Sequence, residues 1–350
     1  MVAMPGDAKL TLAVLVLEAC IGYPRWLFAA IGHPVMWIGR VLEMLERAWN
    51  QPRFSDTARR ALGVGTVLAI VGLAAGAGFA VVALAGSLGV AVASLAGGVE
   101  GAFASSPGDL AHAAASVAAS LDHGSVVVVI IATTGLAQRS LYEHVRAVER
   151  ALLSGGLEDA RAAVGRIVGR DTAALTATEV SAAAIESLAE SFNDAVVAPA
   201  FWLFVGGLPG LFAYKALNTA DSMIGHTEPR WRAFGWAAAR LDDVANFVPA
   251  RIAGVLLALT AARGFRVMWR DAPKHASPNA GWPEAAAAGA LGLRLGGPAF
   301  YDGVMHKRPQ FGDGASPQAT DLSRALRLYK RGCAALWLLL SLVAVMQVSL

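Results

Sequence analysis

Charge is scarce in this chain. Asp, Glu, Lys and Arg make up 16% of its 350 residues and hydrophobic residues 56%, whereas about a quarter of an ordinary soluble domain is charged. That balance excludes a typical soluble globule and points to a protein that crosses a membrane several times. The net charge is only +3, with no dense Lys/Arg stripe, which excludes nucleic acid as a partner. The two cysteines, Cys20 and Cys333, stand in apolar segments at opposite ends of the chain. They exclude a disulfide framework and a Cys-based metal site. No HExxH occurs, and no Lys follows a Gly. There is therefore no GxxxxGK[ST] phosphate loop, and a nucleotide would have to bind by other means.

A helix needs roughly 20 apolar residues to cross about 30 Å of hydrocarbon. Candidates lie near 10–31, 62–85, 124–138, 195–214, 244–262 and 332–349. The first is broken by Glu18, Gly22 and Pro24 and is read as a retained span. The fourth holds Pro199, Gly206, Gly207, Pro209 and Gly210. Irregular backbone at membrane depth is tolerated only inside protein or beside a wet cavity, so a bent or re-entrant segment is expected there. The stretch 86–121, rich in Ala, Gly and Ser, reads as a weak extra span or a peripheral loop. Neither Lys nor Arg occurs from Ala61 to Gln138, while arginines crowd both flanks. The positive-inside rule places those flanks in the cytoplasm, together with 139–194 and 263–331. The expected fold is an all-α polytopic integral membrane protein, one membrane-embedded domain over 1–350. It has about four to six spans, one of them bent or re-entrant, plus cytoplasmic helices.

Three polar clusters interrupt this apolar chain. In "TATEVSAAAIESLAESFND", Thr176 and Glu179 form a capping box that starts a helix. Glu186, Glu190 and either Asn193 or Asp194 then share one face. In "NTADSMIGH", Asn218, Asp221 and Ser222 share a face. In "ARLDDVANFVPAR", Asp242 and Asp243 each reach Asn246 at helical spacing, flanked by Arg240 and Arg251. Carboxylate and amide oxygens at such spacing suit Mg²⁺, a hard ion that usually shares its ligands with substrate phosphates. The plain alternative is salt bridges and caps at span ends. Three such clusters beside apolar segments weigh against it, because unpaired charge near hydrocarbon is expensive. "SPNAGWPEAAAAGALGLRLGG" starts another helix, with Pro283 and Glu284 in its first turn.

Taken together and in order, "RDTAAL", "ESLAESFNDAVVAPAFW", "GLPGLFAYKALNTADSMIGH", "FGWAAARLDDVANFVPARI" and "RDAPKHASPNAGWPEAAAAGALGLRLGGPAFYDG" closely resemble the CobD/CbiB family of cobalamin biosynthesis. The opening "IGYPRW…GHPVMWIGR" also looks like that family's, although Gly22-Tyr23-Pro24 stands where it commonly has Gly-Asp-Pro. The resemblance spans roughly 20–315 and is weak in 62–123 and in the last span. It implies an adenosylcobinamide-phosphate synthase of the cytoplasmic membrane with its site facing the cytoplasm. Such enzymes join the propionate of adenosylcobyric acid to aminopropanol phosphate, or aminopropanol, using ATP and Mg²⁺. Assembly into a homo-oligomer, or with later enzymes of the pathway, stays open.

On that reading Asp221, Asp242 and Asp243, helped by Asn218 and Asn246, make the Mg²⁺–phosphate contacts. Glu186, Glu190 and Asp194 serve the amine side as base or ammonium clamp. Arg240 and Arg251 hold phosphate or propionate. Arg170, Asp171, Asn193, Ser222, Ser277 and Asn279 complete the substrate contacts. All are expected to converge in one inward-facing pocket. Two rival readings are a membrane prenyl or phosphotransferase with a DDxxD-like site, and an AmpE-like sensor or transporter.

Overall fold

A computed structural model describes residues 5–96, 123–261, 263–301 and 303–349. The protein is an all-α polytopic membrane protein. Four of the described helices are long and apolar enough to cross a membrane: Asp56–Ser87, His123–Leu153, Ala177–Ile224 and Ala319–Ser349. A fifth crossing arises if Ala8–Ile21 and Arg25–Trp49, bent by 96° between them, count as one. The segment expected as a span at 244–262 forms only Phe247–Leu259, 13 residues, about 20 Å at 1.5 Å per residue. By itself it is too short to cross. Beyond Ala96, the expectation for 86–121 lies outside the described residues.

The chain divides into two compact units, and the boundary falls inside Ala177–Ile224 rather than at a linker. The first unit holds Met1–Ala137, Pro199–Asp242 and Leu340–Leu350. Ala8–Ile21 is capped by Asp7, whose carboxylate accepts from the Leu10 N–H at 2.9 Å, and it stops at Gly22. Helix Asp56–Ala96 turns Leu68, Leu73, Phe79 and Leu84 outward, as expected of a helix whose solvent is hydrocarbon rather than water. The break expected in 195–214 sits at Gly207, whose φ of 61° and ψ of −159° interrupt the helix. Only Gly adopts that conformation cheaply. The interruption relieves Pro209, which cannot donate an N–H back into a helix.

The second unit holds Gln138–Ala198 and Asp243–Leu339. The capping box forms as expected: Thr176 receives the Glu179 N–H, and the Glu179 carboxylate receives that of Thr176. Small residues let the helices pack closely. A Cβ on Gly254 would stand 2.8 Å from Met268 Sδ and 3.1 Å from the Trp282 carbonyl. Helix Gly281–Leu291 therefore presses its Ala-rich sequence into the core, with Ala285 to Ala288 all buried. The "LGGPAFYDG" segment opens a two-tier hairpin. Strand β1 (Leu295–Gly296) pairs antiparallel with β4 (Gln310–Phe311), and β2 (Ala299–Tyr301) with β3 (Val304–His306). These strands escape a period-based reading because each is only two or three residues long.

Candidate functional site

The second unit gathers a group of charged side chains around helix Ala177–Phe192. Glu186, 2% exposed, lies on the buried face of that helix. It is ion-paired with Arg170, accepts from Arg308 Nη1 at 3.0 Å, and accepts the Gly296 N–H at 2.8 Å. The base of the hairpin is thereby tied to the helix through Gly296 and Arg308. A buried carboxylate survives only when paired and hydrogen-bonded. Because those partners take up both oxygens of Glu186, the amine-side role expected for it is better filled by other carboxylates.

Glu190, one turn further on, is exposed. It lies within electrostatic range of Asp194, Arg308, Glu186 and Arg170. It is thus a carboxylate that a solute can reach in the midst of several fixed charges. Behind it stands Glu284, 1% exposed. Glu284 Oε1 is 3.7 Å from His275 Nε2, and Oε2 is 3.7 Å from Arg308 Nη2. Burial, together with the charges of Glu190 and Glu186, pushes the Glu284 carboxyl well above the ordinary carboxylate range. Burial also lowers His275, so its ring stays neutral at physiological pH.

At Asn193–Val197 the helix widens into a single π-helical turn, a local feature frequent at functional sites. The sequence pattern left open whether Asn193 or Asp194 completes the face; the π-turn brings in both. Asn193 Nδ2 donates to Asp194 Oδ1 at 2.7 Å and to Asn246 Oδ1 at 2.8 Å. Asn246 is itself buried.

Arg251 lies over the rings of Phe247 and Trp282, at 3.8 and 4.7 Å from their centroids. Its Nη1 donates to Asn279 Oδ1 at 2.7 Å, and Asn279 Nδ2 donates to the Asp243 carbonyl at 2.8 Å. Ser277 Oγ accepts the Asn279 N–H at 3.2 Å, so it shapes the loop before Gly281–Leu291. Asp171, exposed, accepts the Gly303 N–H at 2.8 Å and so pins the hairpin tip.

The remaining expected residues belong to the first unit. Asn218 Oδ1 accepts from Lys215 Nζ at 3.4 Å, and Ser222 Oγ donates to the Asn218 carbonyl at 2.9 Å. Asp221 is half-buried, with Gly225 packed against its carboxylate so tightly that a Cβ there would stand 2.0 Å from Oδ1. Arg240 is exposed and Asp242 half-buried on helix Trp236–Ala245. Among the described residues no three Asp, Glu, His or Cys side chains form a ready-made metal cage. Magnesium seldom needs one, because phosphates and water supply most of its shell.

Three members of the cluster were not among the expected site residues. Arg308 lies in a loop without a motif, and His275 is a lone histidine. Glu284 carried a signal read only as a helix start: a single carboxylate in an otherwise apolar, Ala-rich helix.

A model of the CobD/CbiB protein family matches residues 10–329. The chain is 42% identical over 343 residues to the cobalamin biosynthesis protein CobD of Rhodobacter capsulatus, covering 97% of this chain and 98% of that protein. It is 40% identical over 330 residues to a protein of the same name from a Sinorhizobium species, covering 91% and 92%. It is 41% identical over 331 residues to that of Brucella suis, covering 91% of each. No solved structure matches it.

Proposed function

The chain belongs to the CobD/CbiB family, and on that premise we propose that it acts in cobalamin biosynthesis as an adenosylcobinamide-phosphate synthase. It forms an amide between the propionate of adenosylcobyric acid and the amine of aminopropanol phosphate or aminopropanol. It works as a multi-pass protein of the cytoplasmic membrane, with its site facing the cytoplasm. A carboxylate is a poor acyl donor until one oxygen becomes a leaving group, and ATP supplies that group as phosphate.

The observation that best supports this reading is Glu190, a carboxylate open to a solute and ringed by Glu186, Arg170, Arg308 and Asp194. It clamps the incoming ammonium. Glu186 acts as a positioning residue that fixes Arg170 and Arg308. Those guanidiniums offset the negative charge that builds as phosphate departs. Arg251, steadied by Phe247, Trp282 and Asn279, suits the substrate's propionate, because a guanidinium binds a carboxylate bidentately. Each unit by itself offers oxygen donors of the kind Mg²⁺ takes: Asn218, Asp221 and Asp242 in the first, Asp243 and Asn246 in the second. All are carboxylates or amides, as a hard ion prefers. When bound, the ion would neutralise phosphate charge.

The test is amide formation by the purified full-length protein in detergent, with adenosylcobyric acid, ATP, Mg²⁺ and each amine in turn. Wild type should yield the amide, and Glu190→Ala should abolish it while still inserting into membranes. Prenyl transfer or solute transport without any amide product would refute the proposal.

A further inference from the structure

Glu284 stands in the first turn of helix Gly281–Leu291, among alanines that leave it no polar neighbour on its own helix. The His275 imidazole and the Arg308 guanidinium are each 3.7 Å away, beyond hydrogen-bond reach. Its Oε2 accepts no hydrogen bond although the side chain is buried. The other charged groups acting on it are Glu190 and Glu186 from helix Ala177–Phe192 and Arg170 from the loop before it. With His275 and Arg308 they make a cluster in which three carboxyl groups, Glu186, Glu190 and Glu284, meet two guanidiniums, Arg170 and Arg308.

His275 shows which oxygen is poised. The Ser277 N–H donates to His275 Nδ1 at 2.9 Å. Nδ1 also lies 3.2 Å from the Ser277 carbonyl oxygen, so the Ser277 backbone holds that side of the ring, and Nε2 is the nitrogen that faces Glu284 Oε1. Oε1 thus faces the imidazole, and Oε2, which accepts no hydrogen bond, is the oxygen left for a ligand. Burial holds the carboxyl above its ordinary range, which favours its protonated form. Any bound cation must displace that proton, and a small ammonium is the cation the proposed reaction supplies.

We propose that Glu284 is a catalytic residue of the amine site, the base that takes a proton from the substrate ammonium after Glu190 has captured it. This rests on the amide-forming reading. The substrate ammonium enters as Glu284 releases its own proton to solvent, so an ion pair replaces an acid. The ammonium then gives one proton to Glu284 Oε2 and recovers its lone pair. Nitrogen forms the C–N bond to the activated propionate carbon as the C–O bond to phosphate breaks. The bonding electrons leave with phosphate, which takes the second proton from nitrogen. The products are the amide, inorganic phosphate and Glu284 as the acid, which closes the cycle.

The experiment is amide formation by full-length Glu284→Gln across mildly acidic to strongly alkaline pH. Gln resembles the neutral acid in shape, so thermal stability at neutral pH should be kept. The neutral-pH rate should fall by about 10²- to 10⁴-fold, the usual share of general acid–base catalysis. It should then recover about tenfold per pH unit as free amine accumulates in solution. Glu284→Asp keeps a titrating group and should show a reduced rate with the wild-type pH shape. The proposal is overturned by a wild-type rate in Glu284→Gln, by a loss of equal factor at every pH, or by a Gln-like profile in Glu284→Asp. Wild-type protein that forms no amide would instead remove the proposed function, and this inference with it.

Discussion

Removing the Glu186 carboxylate should be the most damaging single change in the second unit. Its side chain is 3% exposed, and the Arg170 and Arg308 side chains it pairs with are 12% and 17% exposed, so solvent screens these pairs little. Glu186→Ala deletes two ion pairs and the acceptor for the Gly296 N–H at once. It leaves two guanidiniums facing each other across the gap. Breaking a buried pair by removing one partner costs about 3–5 kcal/mol, and the second orphaned cation places this case toward the upper end. Arg308→Met should cost less, because Glu186 keeps Arg170 and Gly296. The Glu186→Ala/Arg308→Met pair should show a coupling of about 1–3 kcal/mol, the range for residues in one network. Equilibrium denaturation in detergent micelles measures the three values. Hydrogen exchange at Gly296 and Gln310 reports whether the hairpin base loosens with them. A loss below about 1 kcal/mol for Glu186→Ala, with the hairpin amides still protected, would refute the view that this carboxylate ties the hairpin to its helix.

Other outcomes follow from the same geometry. Asp271 is buried; burial opposes its charge, but hydrogen bonds from Arg270, Lys274 and the Gly312 N–H outweigh it and hold the carboxyl below its ordinary range. A depressed carboxyl stabilises the fold above the unfolded value of about 4 and loses that contribution as pH falls through the folded one. Acid titration followed by tryptophan fluorescence should therefore show wild type losing stability below about pH 4, and Asp271→Asn should flatten that limb while lowering stability at neutral pH. Gly207→Ala forces a side chain into a conformation that costs about 1–3 kcal/mol. Thermal inactivation in detergent should occur earlier in this variant, whereas Gly206→Ala, one residue earlier and with no atom within 4 Å of an added Cβ, should behave as wild type.

Much of the site was legible because it lies on single helices. The capping box of Thr176 and Glu179 and the shared face of Glu186 and Glu190 depend on spacing alone, which sequence displays directly. The choice between Asn193 and Asp194 was not legible, because a π-turn adds a residue where helical counting assumes none. The hairpin was hidden for a related reason: strands of two or three residues have no period to detect. Ser277 and Asp171 were expected among the substrate contacts; in the structure Ser277 Oγ accepts the Asn279 N–H and Asp171 accepts the Gly303 N–H.

The amino-acid order by itself determined the solvent and the element type. Long apolar runs must pair their own backbone groups in hydrocarbon, and a helix does this locally. Glu186 and Arg308, 122 residues apart, meet only because the hairpin folds back onto the helix. The isolation of Glu284 from hydrogen-bonding partners likewise depends on what packs around it. Coulomb energy and desolvation follow distance in space, so the tertiary structure alone decided which carboxylate is ion-paired, which stays reachable and which burial pushes toward the acid form.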